Sequence, residues 1–170
     1  MRQLLPGTAA ARGCALGQAR VRLPHALDVE ETKIATEAVA AELQRFHAAV
    51  TTVRAEMRDL RDRLHGALAH EVGEFIDLHA LLLDDPELLS GIDDLIRTGH
   101  YSADYALRLQ RNRLAAVFES MDDAYLRSRI DDIDQVIGRL HAALHSQHAV
   151  LQGVSGEILV TDSVAPAELA

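Results

Sequence analysis

Nine histidines and one cysteine are the side chains of this sequence most apt to carry a metal, a proton or a nucleophile. A zinc-binding helix of the metalloprotease kind needs two histidines one turn apart, with a glutamate beside the first. His70-Glu71-Val72-Gly73-Glu74 begins that pattern, but Glu74 stands where the second histidine belongs. Di-iron bundles need Glu-x-x-His on two helices, and the sequence contains no such pair. Neither a Gly-rich phosphate loop ending in Lys-Ser or Lys-Thr nor a Gly-x-Ser-x-Gly elbow occurs. Cys14 has only Arg12 close by to lower its pKa, and one cysteine makes no internal disulfide and no multi-cysteine metal site. His141, His145 and His148 fall near the end of a helical segment, where cationic side chains suit the negative end of the helix dipole. No catalytic, cofactor-binding or metal-ligating set is expected.

The pattern that does stand out is acidic and leucine-rich. Between Glu71 and Ile96 lie Glu71, Glu74, Asp77, Asp84, Asp85, Glu87, Asp93 and Asp94, with no Lys or Arg. Val72, Ile76, His79 and Leu83 form one helical stripe with Phe75 and Leu82 beside it, which leaves Leu78 and Leu81 outside. Apolar side chains ringed by charge of one sign suit a protein-docking face, where burial gives affinity and charge gives steering. A wide core face backed by a solvated acidic one fits the same pattern.

The elements that must position these residues are mostly helices. From Thr36, a plausible N-cap, Val39, Leu43, Phe46, Val50, Val53, Met57, Leu60 and Leu64 alternate spacings of four and three, as one long amphipathic helix requires. A second helical stretch covers His70 to Leu83. Asp85-Pro86 then opens a fresh start, with Asp85 as cap, Pro86 in the first turn, Ile92, Leu95 and Ile96 facing inward and Gly99 as a stop. Ser102 caps the next helix, with Leu107, Leu114, Val117 and Phe118. Asp122 or Asp123 opens the last, where Leu126, Ile130, Ile133, Ile137, Leu140 and Leu144 repeat the four-three spacing. Short connections make such helices antiparallel neighbours, so a four-helix-bundle-like domain is expected over 35–148.

Gly13–Leu23 and Glu157–Thr161 read as strands on either side of that block, and Val164–Leu169 could begin another helix. A helical domain inserted into the edges of an α/β domain follows, with residues 1–34 and 149–170 belonging to the α/β part, which looks truncated. The formal net charge of −9 disfavours a nucleic-acid partner. No stretch approaches the roughly 18 apolar residues of a membrane span, and the first residues do not form a signal peptide. A cytoplasmic protein is expected.

Two segments carry a family resemblance. His79-Ala80-Leu81-Leu82-Leu83-Asp84-Asp85-Pro86-Glu87-Leu88 and Met121-Asp122-Asp123-Ala124-Tyr125-Leu126-Arg127-Ser128-Arg129-Ile130-Asp131-Asp132-Ile133 resemble the helical domain of Enzyme I of the phosphoenolpyruvate-dependent phosphotransferase system. The order of elements is similar as well. The resemblance implies a parent that takes a phosphoryl group from phosphoenolpyruvate, with Mg2+, and passes it to a small histidine phosphocarrier, HPr or its nitrogen-branch relative. It implies that the carrier docks on the helical domain through His70, Glu71, His79, Leu81, Leu82, Asp85, Glu87 and Leu88, joined by Phe118, Glu119, Leu126 and Arg129. Pro86 and His70 stand where better-known members carry acids. The Gly-Gly-x-Thr-Ser-His-type motif of the phosphorylated histidine is absent, so none of the nine histidines takes that role and the chain alone is expected to be inactive. The alternative is a structural or oligomerisation module built on the two four-three stripes.

Overall fold

The computed structural model describes residues 12–22, 27, 29–65, 69–120, 124–145 and 156–161. The chain divides into two units, Met1–Pro24 with Gln152–Ser163, and His25–Leu151 with Val164–Ala170.

In the first unit β1 (Gln18–Arg22) pairs in parallel with β2 (Glu157–Thr161), in the register Gln18 to Glu157 through Arg22 to Thr161. Parallel partners cannot be joined by a hairpin and need a long connection. The whole helical block is that connection. β2 covers the residues expected from the sequence, whereas β1 is confined to the second half of the expected Gly13–Leu23 segment.

The second unit holds α1 (Val39–Arg63), α2 (Ala69–Leu83), α3 (Pro86–Arg97), α4 (Ala103–Glu119) and α5 (Ala124–Leu144). α1 packs against all four others. Its stripe is the one legible in sequence: Leu43, Phe46, Val50, Val53 and Met57 are buried, with Val39, Leu60 and Leu64 partly buried around them. α5 presents Ile133, Ile137, Leu140 and Leu144 to the same core, with Val136 added. The α1 stripe and the α5 stripe from Ile133 onward are therefore packed within one chain.

The helix starts show where local chemistry decides. The Asp85 side chain accepts from the Glu87 N–H at 2.8 Å, with Pro86 in the first turn, and Ser102 Oγ accepts from Tyr105 N–H at 3.3 Å. Thr36 is not a cap. The chain enters α1 through a 3-10 turn, Thr36–Ala38, and no side chain caps it. Asp122 and Asp123 lie outside the described residues.

α4 keeps its expected face except at Val117, with Leu114 and Phe118 packed against the core. Ala103, Ala106, Leu107, Gln110 and Ala115 are buried, whereas Val117 is 53% exposed. Gln110 lies directly over Gly91 of α3, where an added Cβ would come within 2.4 Å of the amide nitrogen, and it donates to Glu87 O at 2.9 Å. Glycine permits that approach, and the hydrogen bond stabilises a polar group in a buried place.

Residues 29–34, expected with the N-terminal strands, pack on the helical unit instead. Ile34 N–H donates to His100 O at 2.8 Å and Ser102 N–H to Thr32 O at 2.9 Å. Lys33 Nζ sits over the Tyr101 ring, 4.3 Å from its centroid. The left-handed residue of this turn is His100, with φ 54°, rather than Gly99, which follows the Thr98 C-cap.

Candidate functional site

The acidic, leucine-rich segment spans α2, the two-residue break at Asp84-Asp85 and the start of α3. α2 is held on one side by α1 and on another by α5. Ile76, His79 and Leu83 are buried and Val72, Phe75 and Leu82 partly so, as the stripe requires. Leu81 points away from all of them and is 69% exposed, while Leu78 is intermediate. A large apolar side chain this exposed contributes little to folding.

The acids do not form a uniform field. Arg61 of α1 pairs with Asp77 at 3.2 Å, and an added Cβ at Gly73, one turn back, would come within 2.7 Å of the guanidinium. Arg54 pairs with Asp84 at 2.6 Å and donates to Leu83 O at 3.0 Å, so it also satisfies the end of α2. His47 meets Asp93 at 2.8 Å, and His70 meets Glu74 at 3.3 Å on α2 itself. Asp85, at the N-cap, and Glu87 are exposed and have no ion pair to a described residue. Two of the carboxylates left to a partner, Asp85 and Glu87, thus lie at the α2–α3 break, a few residues from Leu81, while Asp94, exposed and without an ion pair to a described residue, lies near the end of α3. Reading α2 alone misses the α1 arginines, because only the packing brings them across.

His79 and Leu88 leave the face assigned to them by resemblance. They are 1% and 3% exposed, so their side chains serve the core. His79 Nε2 lies 3.7 Å from Asp132 Oδ1 of α5, and its ring packs against Phe75, tilted at 56°, with 4.1 Å between centroids. Burial lowers its pKa to about 4, against the opposing pull of Asp132 and with a smaller contribution from Arg139. His79 is therefore neutral at pH 7, since desolvation penalises the imidazolium.

Arg129, part-buried, pairs with Asp132 at 3.0 Å, so α2 and the start of α5 meet through His79, Asp132 and Arg129. Phe118 packs against the core at the end of α4, and Glu119 is exposed. His70 is exposed. The side chains of Glu71 and Leu126 lie outside what the structure describes.

A second cluster carries no sequence motif. His141 and His145, expected only to complement the helix dipole, converge on Asp104 at the start of α4, with Nε2 atoms 3.5 and 2.8 Å from Oδ1.

The chain matches a family model described as PEP-utilising enzyme, N-terminal, over residues 6–129. It is 34% identical over 176 residues to a phosphoenolpyruvate-protein phosphotransferase of Cupriavidus necator, covering 97% of this chain and 30% of that protein. A second relative of that name, from Listeria innocua, is 32% identical over 140 residues, or 82% of this chain and 24% of its own length. A solved structure titled as an NMR solution structure of Enzyme I (nEIt) superposes with TM-score 0.76 at 25% identity, covering 98% of this chain and 68% of that one. Another, titled N-terminal domain of Enzyme 1 - Nitrogen, shares the fold with TM-score 0.71 at 24% identity, over 91% of this chain and 63% of that one. The chain belongs to the N-terminal family of phosphoenolpyruvate-utilising enzymes. It spans less than a third of the length of these curated relatives.

Proposed function

We propose that this chain is the N-terminal part of a cytoplasmic phosphoenolpyruvate-protein phosphotransferase of the Enzyme I type, whose helical unit docks a small histidine phosphocarrier of the HPr type. The observation that carries the reading is Leu81, 69% exposed and a few residues before Asp85 and Glu87, whose carboxylates are exposed and have no ion pair to a described residue. An exposed leucine offers burial to an apolar spot on a carrier, and the carboxylates meet its Lys or Arg residues. Leu82 and Phe118, both partly buried, border the core beneath such a face. Phosphoenolpyruvate and Mg2+ are assigned to the parent enzyme and to no residue of this chain.

The packing of the α1 stripe, and of the α5 stripe from Ile133 onward, within one chain works against the oligomerisation module, which needs one of them as a seam. In the whole helical block no described helix is long and apolar enough to cross a membrane.

Titration of the isotope-labelled chain with a sugar-branch and a nitrogen-branch carrier tests the proposal. One of them should shift amides within 70–88 and 118–129, with binding that weakens as salt rises. Leu81→Ala should reduce the affinity about tenfold, the effect of losing a central apolar contact. Absence of any perturbation by both carriers would sink the docking role.

A further inference from the structure

We propose that Asp104, His141 and His145 form a binding site for one divalent transition-metal ion of the zinc type, independent of the docking face. Three elements build it. Asp104 lies in the first turn of α4, His141 in the last turns of α5, and His145 one residue beyond that helix. The spacing of four between the histidines puts both imidazoles on one side of α5, with ring centroids 4.7 Å apart. Both Nε2 atoms approach the same carboxylate oxygen, at 3.5 and 2.8 Å, and the three candidate ligand atoms lie within 4.8 Å of one another. A tetrahedral ion with bonds of about 2.0–2.1 Å places its ligand atoms about 3.3 Å apart, so the observed spacing brackets what such an ion needs.

The chemistry of the donors selects the class of ion. Two imidazole nitrogens and one carboxylate suit Zn2+, Co2+, Ni2+ or Cu2+, whereas Mg2+ and Ca2+ require oxygen shells. The surroundings resemble those of a supported ligand. Asp104 Oδ2 accepts from Arg45 Nη2 of α1 at 2.6 Å, which fixes the carboxylate and turns Oδ1 toward the histidines. Glu42, one turn earlier on α1, accepts from the Ala103 N–H at 2.6 Å and stands 3.7 Å from Arg45. The Asp104 carboxylate supplies the anionic donor beside the two imidazoles. His141 and Asp104 are partly buried and His145 is 43% exposed at its side chain, so an ion has access from solvent and a position remains for water.

An ion there ties the start of α4 to the end of α5. Titration of the intact chain with Co2+ at neutral pH tests the site, because visible d–d absorption reports tetrahedral nitrogen and oxygen ligation directly. One equivalent is expected to bind with that absorption, and Zn2+ should displace it. His141→Ala and His145→Ala should each weaken binding about tenfold or more. His47→Ala removes another exposed histidine that has an acidic neighbour, and it should leave Co2+ affinity unchanged. His145 lies outside the core, so its variant keeps the fold even if His141→Ala loses it, as circular dichroism would check. Absence of stoichiometric Co2+ binding would overturn the assignment. So would affinity unchanged in folded His145→Ala, or an equal loss in His47→Ala.

Discussion

α2 and α3 are neighbours in the chain, separated by two residues, and they spend their apolar side chains differently. α3 buries Leu88, Ile92, Leu95 and Ile96, and its remaining leucine, Leu89, is packed against the core. α2 buries Ile76 and Leu83, fills the place between them with a histidine, and leaves Leu81 outside. α3 is a packing helix with no apolar surplus. α2 has more leucine than its core face can use and a polar group where packing alone would choose an aliphatic one. That surplus, and not the total hydrophobicity of the region, marks where a partner could bind.

The comparison can be broken most forcefully at Ile92, fully buried in the middle of α3. Ile92→Ala should cost about 2–5 kcal/mol of stability, measured by urea unfolding. A much smaller loss would mean that α3 is not the packing helix. His79 tests the polar core position of α2. Its folded pKa of about 4 lies below the ordinary 6.5, so the unfolded chain binds the proton more readily. The penalty is absent above pH 6.5 and grows as pH falls from there to about 4, reaching on the order of 3 kcal/mol. Comparing unfolding of the parent and His79→Leu across that window should show a flatter profile in the variant. Asp85→Ala should then cost about 1 kcal/mol through the lost N-cap of α3, seen as a lower urea midpoint. The smallest effect belongs to Leu81→Ala, expected within about 0.5 kcal/mol of the parent in the same unfolding assay. A larger loss would show that Leu81 packs, and the contrast between the two helices would disappear.

Much of this fold was readable in the sequence, because strong local signals coincide with the tertiary demand. The stripes of α1 and α5 are long and their period is unbroken. Asp85 and Ser102 are short polar residues placed immediately before apolar runs, and both cap. Thr36 has the same chemistry, but the chain takes a 3-10 turn there, and a lone threonine does not settle that choice. α4 is legible only in part: Leu107 is buried and Leu114 and Phe118 pack against the core, but the rest of the buried face is Ala103, Ala106, Ala115 and Gln110, residues that announce no stripe, while Val117 faces solvent. Of the residues that the resemblance implies for docking, His70, Leu81, Asp85, Glu87 and Glu119 are exposed. His79 and Leu88 are core residues because their positions along α2 and α3 fall on the inner sides of those helices. The pairing of Arg54 and Arg61 with the acids of α2, and the meeting of Asp104 with His141 and His145, depend on helix packing between distant segments. No local period encodes either.

The parallel ladder of β1 and β2 has a kinetic consequence. Its partners lie about 140 residues apart along the chain, so pairing them from an extended chain would carry a large loop-closure entropy. Helix formation and docking between the strands shortens the effective loop before the strands meet. The ladder is therefore expected to form last, a folding order governed by chain topology. Pulse-labelled amide exchange during refolding should protect the amides bonded within the β1–β2 ladder after the α1 core, and earlier protection of the strands would refute that order.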